Sequence, residues 1–293
     1  MTLDIVMPFY GRFDHFRQAV ESVVAQTSPD WRLTILDDVY PDLTPGAWAK
    51  SLDDPRITYI RNEANLRPSR NYNKGIGLVS TDFIQLMGCD DVMLPGYVER
   101  VQELIHLFPD ADIIQPGVSV IDENGQPSLP LADRVKRWYR FSGSGPRAYK
   151  GQQLAVSLLR GNWTYFPSLV WRTSRLNVSR FRTDLDVVQD LAMLFEIVKD
   201  GGSLVLDDQI VFNYRRHSAS VSAVTGPDGS KFLQERTLFR EAEVESRELG
   251  WTRAARTARH HFTSRLNALT ELPRAIRAKN IAGRRALTRH ILN

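Results

Sequence analysis

Three groups of residues have the types and spacing to do chemistry. Asp37-Asp38 and Asp90-Asp91 are adjacent acid pairs, each closing a short strand-like run, 32–36 in the first case and 83–87 in the second. Neighbouring carboxylates repel, so such a pair usually holds a cation or shares a proton. After Asp91 the chain turns at Pro95-Gly96 into a helical pattern, and either acid of that pair would also suit a helix cap. The third group is the basic, aromatic run Arg134-Val135-Lys136-Arg137-Trp138-Tyr139-Arg140. It could grip a phosphate-bearing or sugar acceptor, or simply form a solvated loop.

These groups need elements to position them. Residues 3–7 read as a short buried strand stopped by Pro8, and Phe13, Phe16, Val20, Val23 and Val24 follow at helical spacing. Strands are expected at 32–36, 57–60 and 83–87, with a short helix within 39–50 and another within 69–79. Strands alternating with helices imply an α/β fold with a mostly parallel sheet. In such a sheet both acid pairs lie at carboxyl ends on one side, where open sheets bind ligands. A helix carrying Val101, Leu104, Ile105 and Phe108 comes next, then strands at 112–115 and 118–121 around Pro116-Gly117. Residues 122–148 read as a long Gly- and Pro-rich loop, of a length usually reserved for function. Helix 152–159, strand 168–171, a helix opened by Asp190 and ended at Gly201-Gly202, and strands at 204–206 and 210–212 complete the pattern. The last run leads into Tyr214-Arg215-Arg216-His217.

The composition, 42% hydrophobic and 25% charged over 293 residues, suits one large globular domain with an appendage. A single cysteine, Cys89, excludes an intrachain disulfide and a cysteine-rich zinc site, and reads as a small packing residue. No apolar run reaches the roughly 18 residues of a membrane span, and the first residues do not read as a signal peptide. A cytoplasmic protein is therefore expected, and the two glycosylation sequons at Asn162 and Asn177 then carry no weight. Charge is uneven: residues 251–293 hold ten bases and one acid, Glu271, while the remainder is net acidic. There Ala255, Ala258, Phe262, Leu266 and Leu269 fall on one helical face among arginines. Such a helix could lie on an anionic membrane surface, on the inner face of the cell membrane, or pack on the rest of the protein. Too few aromatics accompany these bases for nucleic-acid binding.

In their order along the chain, these pieces resemble inverting glycosyltransferases of the GT-A fold, in the large family-two group. The likeness covers residues 1–220. It implies a catalytic domain over 1–225, with a nucleotide-sugar half (1–115) and an acceptor half (116–225), and a helical basic region over 226–293. Pro8, Tyr10 and Arg12 resemble the first nucleotide loop, with Gln26-Thr27 after the first helix. Asp38 resembles the acid that reads the nucleotide base. Arg70-Asn71 with Gly75-Ile76 resembles the segment before the metal strand, and residues 87–91 resemble the D-x-D region. The likeness thus assigns Asp90 to nucleotide and metal, Asp91 and His217 to metal, and Asp190, in Gln189-Asp190-Leu191, to the catalytic base.

What the resemblance implies is a Mn²⁺- or Mg²⁺-assisted transfer from a UDP- or dTDP-sugar to a saccharide or lipid-linked acceptor. A cation would neutralise the leaving diphosphate while a carboxylate takes the acceptor's proton. One departure stands out: relatives often carry an acid two residues before Asp90, where this chain has Gly88. That departure leaves room for an inactive sugar-nucleotide-binding scaffold. A nucleotidyltransferase would need a Gly-rich basic loop after the first strand, which Pro8-Phe9-Tyr10-Gly11-Arg12 matches poorly.

Overall fold

The computed structural model of the chain describes residues 1–217, 225–226 and 228–292. From the amino terminus its elements are β1 (Leu3–Phe9), α1 (Phe13–Val24), β2 (Trp31–Asp37), α2 (Thr44–Ser51), β3 (Ile57–Arg61), α3 (Arg67–Ile76), β4 (Phe83–Leu86), β5 (Val92–Met93) and α4 (Tyr97–Leu107). There follow β6 (Ile113–Ile121), α5 (Leu131–Tyr139), β7 (Arg147–Lys150), α6 (Gly151–Arg160), β8 (Val170–Arg172), α7 (Thr173–Ser179), α8 (Gln189–Lys199) and β9 (Ser203–Arg215). Four further helices are α9 (Ser230–Glu248), α10 (Thr252–His260), α11 (Phe262–Arg277) and α12 (Ile281–Leu292).

The strands form one mixed sheet in the order β3-β2-β1-β4-β8-β6-β9-β5, with β7 added on β9. Strands β1 to β4 are mutually parallel. Because β8 runs antiparallel to both β4 and β6, β6 points the same way as β4, and β9 is parallel to β6. The ends Phe9, Asp37, Arg61, Leu86, Ile121 and Arg215 therefore share one edge. Side-chain alternation splits the core: Leu3, Ile5 and Met7 face α1 and α4, while Val6, Leu36 and Ile84 face α6 and α8.

Several expectations are corrected. Pro8 does not stop β1, which continues to Phe9. Its missing N–H costs nothing there, because β4 pairs only with Asp4, Ile5 and Val6. Pro116-Gly117 does not divide β6 either. A bulge in β9 at residues 207–209 accommodates it, and a Cβ on Gly117 would meet the Gln209 carbonyl carbon and oxygen at 2.5 Å. The segments 204–206 and 210–212 are one strand, with Asp207 inside it paired to Arg100 at 2.8 and 2.9 Å. The expected strand at 168–171 begins as a short 3-10 turn and becomes β8 at Val170. The long loop 122–148 contains α5, which carries most of the basic aromatic run. Finally, the expected apolar face over 255–269 is broken at His261, whose φ is 27°. Ala255 and Ala258 are buried on α10, whereas Phe262, Leu266 and Leu269 are exposed on α11.

The carboxy-terminal helices are not an independent body. Leu238, Phe239 and Ala242 of α9, with Ala254 and Ala258 of α10, join the core that α6 and α8 form on the sheet. Phe232, Ala268, Ala275 and Leu287 make a small separate cluster among α9, α11 and α12.

Candidate functional site

The carboxyl edge of the sheet gathers the acids. At the end of β4, Asp91 is 1% exposed, and its Oδ1 accepts the Arg215 amide at 2.8 Å. Its Oδ2 is buried with no partner among the described residues. Burial first, and the neighbouring Asp90 second, push the Asp91 carboxyl well above the ordinary range. Gly88 explains how the pair fits: a Cβ there would lie 2.4 Å from Asp91 Oδ2 and 2.9 Å from Asp90 Oδ1. One oxygen of each carboxylate thus faces the space that this glycine leaves open. Arg215 fixes the turn, donating to the Asp90 carbonyl at 2.6 Å and to Gln18 at 2.8 Å. His217 donates from Nε2 to Asp90 Oδ2 at 2.6 Å, so that nitrogen holds the acid in place.

These donors fit a hard cation. Two carboxylate oxygens converge, one of them buried and unsatisfied, and Mg²⁺-type sites often use one or two carboxylates and leave the remaining positions to water and phosphate. Among the described residues no three of His, Cys, Asp and Glu form a cage of their own. Asp90 and Asp91 are thus the side chains that could hold such an ion, with His217 hydrogen-bonded to Asp90.

The first acid pair divides its work. Asp37 is buried and saturated: it accepts from Tyr59 Oη, from Arg61 at 2.5 Å and from the Tyr40 amide at 2.8 Å. Asp38 receives Asn62 at 2.8 Å and the amides of Leu66 and Arg67 at 2.7 and 3.0 Å, which ties it to the start of α3. Tyr10 stands beside this pair with an exposed ring, edge-on to Tyr40 at 5.5 Å between centroids. Its loop rests on Cys89, whose thiol is pushed up to about 12 by burial and by Asp90, an inert packing group. Pro8 is half-buried inside β1, paired in register with Leu36. Arg12 is exposed and held by Asp14 at 2.6 Å. Arg70 sits exposed in the first turns of α3, without a hydrogen bond or salt bridge among the described residues.

Asp190 enters from the other half, in the first turn of α8. Its Oδ2 accepts the Asn162 side-chain amide at 2.6 Å, and Oδ1 has no partner among the described residues. Asn162 is itself fixed by Thr164 Oγ1, which donates to Asn162 Oδ1 at 2.6 Å. Tyr72 links the two halves. Burial raises its phenol, and the charges of Asp90, Asp91 and Asp190 all reach it and raise it further. The acid pair and the candidate base therefore both lie close enough to bear on this one buried ring.

Lys136 also lies within electrostatic reach of Asp190, donating to the Thr164 carbonyl at 2.8 Å. Its ammonium is pushed down to about 8 by burial and by Arg216, against the opposing pull of Asp133 and Asp190. Arg216 grips the buried Asp133 of α5 at 2.9 and 3.1 Å, and Tyr165 donates to the same carboxylate at 3.1 Å. A cavity of about 420 Å³ between Asp110, Arg172 and Arg175 lies at the opposite edge, where β6 and β9 begin, and takes no part in this.

Asn162, Tyr72 and Asp133 were not singled out for the site from the sequence, and Lys136 only as one member of the basic aromatic run. Asn162 matched a glycosylation sequon, yet the same Asn-x-Thr spacing is what lets Thr164 orient the amide. Asp133 preceded the basic run and drew no notice, although a lone acid beside four bases invites pairing.

A model of glycosyl transferase family 2 matches residues 4–167. The chain belongs to that family. ExoO of Rhizobium meliloti, a succinoglycan biosynthesis protein, is 31% identical over 220 residues, which are 75% of this chain and 62% of ExoO. WcaA of Escherichia coli, a putative colanic acid biosynthesis glycosyl transferase, is 30% identical over 207 residues, 68% of this chain and 67% of WcaA. The chain thus spans about two thirds of either relative. Residues 1–349 of TarS from S. aureus superpose with a TM-score of 0.66 over 98% of this chain and 90% of that one, at 15% identity. That fragment was also solved with UDP-GlcNAc and with UDP. At this identity the likeness carries the GT-A fold alone. The family match ends at residue 167, before Asp190 and His217.

Proposed function

We propose that this glycosyltransferase moves a sugar from a UDP- or dTDP-type donor to a saccharide or lipid-linked acceptor, with inversion, in surface polysaccharide or glycolipid assembly. The observation that carries the reading is the buried Oδ2 of Asp91, beside Asp90 and without a partner among the described residues, with the charge of Asp190 reaching the same Tyr72 ring. Asp90 and Asp91 would hold Mg²⁺ or Mn²⁺, which supplies charge neutralisation for the departing nucleoside diphosphate. Tyr10 and Asp38 border the nucleotide end, and Arg70 offers an unpaired guanidinium beside it. Asp190 Oδ1 takes the proton as the acceptor oxygen bonds to the anomeric carbon and the bond to the diphosphate breaks. Attack on the face opposite the leaving group inverts that carbon. The names of ExoO and WcaA support the polysaccharide setting, and the UDP-GlcNAc complex of TarS supports a nucleotide-sugar donor.

The test is Asp190→Asn, assayed by release of nucleoside diphosphate from a panel of nucleotide sugars. Turnover should fall about 10²–10⁴-fold, the range expected for loss of a general base, with nucleotide binding unchanged. Full turnover in the variant would remove Asp190 from the mechanism. A wild-type protein that binds nucleotide and releases none from any donor would favour the inactive scaffold.

A further inference from the structure

Two helices of this protein are turned inside out. In α11, Phe262, Leu266, Leu269, Pro273 and Ile276 recur at spacings of four and three, so they form one stripe. The stripe faces outward: Phe262 is 67% exposed, Leu269 52%, Ile276 51% and Leu266 45%. The face turned inward carries Leu272 and otherwise the small residues Ser264, Ala268 and Ala275. A surface helix normally does the reverse. Helix α5 repeats the inversion, burying charged Asp133 while Trp138 and Leu131 stand 81% and 70% exposed.

The end of α5 and the start of α11 approach each other. A Cβ on Gly161 would touch Tyr139, the last residue of α5, at 3.2 Å and Thr263, the second of α11, at 3.7 Å. Gly161 is bonded directly to Asn162, the residue that holds Asp190. The two helices that expose apolar side chains therefore meet at the loop that holds the candidate base.

Bases surround it. Arg134 and Arg137 on α5, Arg277 and Lys279 at the end of α11, and Arg284 and Arg285 on α12 are exposed. Their side chains make no hydrogen bond or salt bridge among the described residues. The one acid of the last 43 residues, Glu271, is half-buried and already faces Arg274 at 3.4 Å.

We infer that the α5–α11 surface docks on an anionic lipid bilayer, with Trp138, Leu131, Phe262, Leu266, Leu269 and Ile276 in the headgroup–acyl boundary and the arginines on lipid phosphates. Charge complementarity selects this occupant. A bilayer offers apolar depth beneath a negative surface, which is what this pattern of side chains matches. A second copy of the chain would bring the same arginines face to face across a twofold axis. Docking in this way turns the Asn162–Asp190 side of the site toward the lipid. The inference does not depend on the proposed transfer reaction, because its test reads binding and not turnover.

The full chain should float with vesicles of phosphatidylcholine containing one third phosphatidylglycerol, and far less with phosphatidylcholine alone. Leu266→Asp with Leu269→Asp should lower the bound fraction by about tenfold or more. Because both positions are exposed, the melting temperature should stay near that of the parent protein. Trp138→Ala on the separate helix should weaken binding in the same direction, which keeps the test open if the paired variant folds poorly. Arg277→Gln with Arg284→Gln and Arg285→Gln should flatten the salt dependence of binding. Flotation with neither vesicle, or equal flotation of the parent and the variants, would overturn the inference. So would a parent dimer that the paired Asp variant converts to monomer, since the stripe would then be a protein interface.

Discussion

At the scale of residues, one amino-acid type does four jobs according to which lone pairs are taken. Asp37 is saturated by Tyr59, Arg61 and a backbone amide and serves as a strut. Asp38 binds the start of α3 through two amides. Among the described residues Asp91 keeps a buried oxygen unsatisfied, and Asp190 has one oxygen held and the other without a partner. Asn162 is what makes Asp190 directional. Asn162→Ala should therefore lower kcat by about tenfold, the worth of one hydrogen bond to a charged group, and leave the KM for donor unchanged. A fall in donor affinity with unchanged kcat would instead make Asn162 part of the donor site. Residue type and order along the chain pointed to Asp90, Asp91, Asp190 and His217 as candidates. They did not reveal Asn162 or Tyr72, or what Lys136 holds, because each acquires its role from a partner on a distant segment that no local pattern encodes.

At the scale of elements, the parallel core was readable and the departures were not. Strands β1 to β4 announce themselves by apolar runs ending in turn residues or acids. The continuity of β6 through Pro116 depends on a bulge in β9 about ninety residues later, so Pro and Gly misled. Helix α5 hid because it buries an acid and exposes tryptophan, the opposite of the pattern that marks a surface helix. The last helices are joined by a buried polar knot: Ser264 of α11 bonds Glu235 of α9 and lies 2.6 Å from His290 Nε2 of α12. Burial, then His261 and Arg265, push the His290 imidazole down to about 4 from its ordinary 6.5. Below 6.5 the unfolded chain takes up a proton that the folded one refuses, so stability is full above 6.5 and is lost as pH falls toward 4. The melting temperature should drop across that window, with a contribution of up to a few kcal/mol. His290→Gln should show a flatter profile than the parent; parallel profiles would mean that His290 does not couple to folding.

At the scale of the whole molecule, a GT-A domain meets a basic helical region that shares its core. Leu238 and Phe239 of α9 and Ala254 and Ala258 of α10 pack with the residues that support α8, and so stand behind Asp190. Among the described residues no helix is long and apolar enough to cross a membrane. The charge asymmetry was legible from composition, whereas the outward turn of the α11 stripe required the break at His261. The central claim is that Asp90 and Asp91 hold a cation for a nucleoside diphosphate. Its most direct test is a thermal-shift panel of UDP, dTDP, GDP, CDP and ADP, each with and without Mn²⁺, on the parent chain and on Asp91→Asn. With ligand at about a hundred times its dissociation constant, stabilisation of about 2.7 kcal/mol should raise the melting temperature by a few degrees. That rise is expected for UDP or dTDP, only with metal, and is lost in Asp91→Asn. No shift with any nucleotide, or a metal-independent shift that survives the substitution, would contradict it.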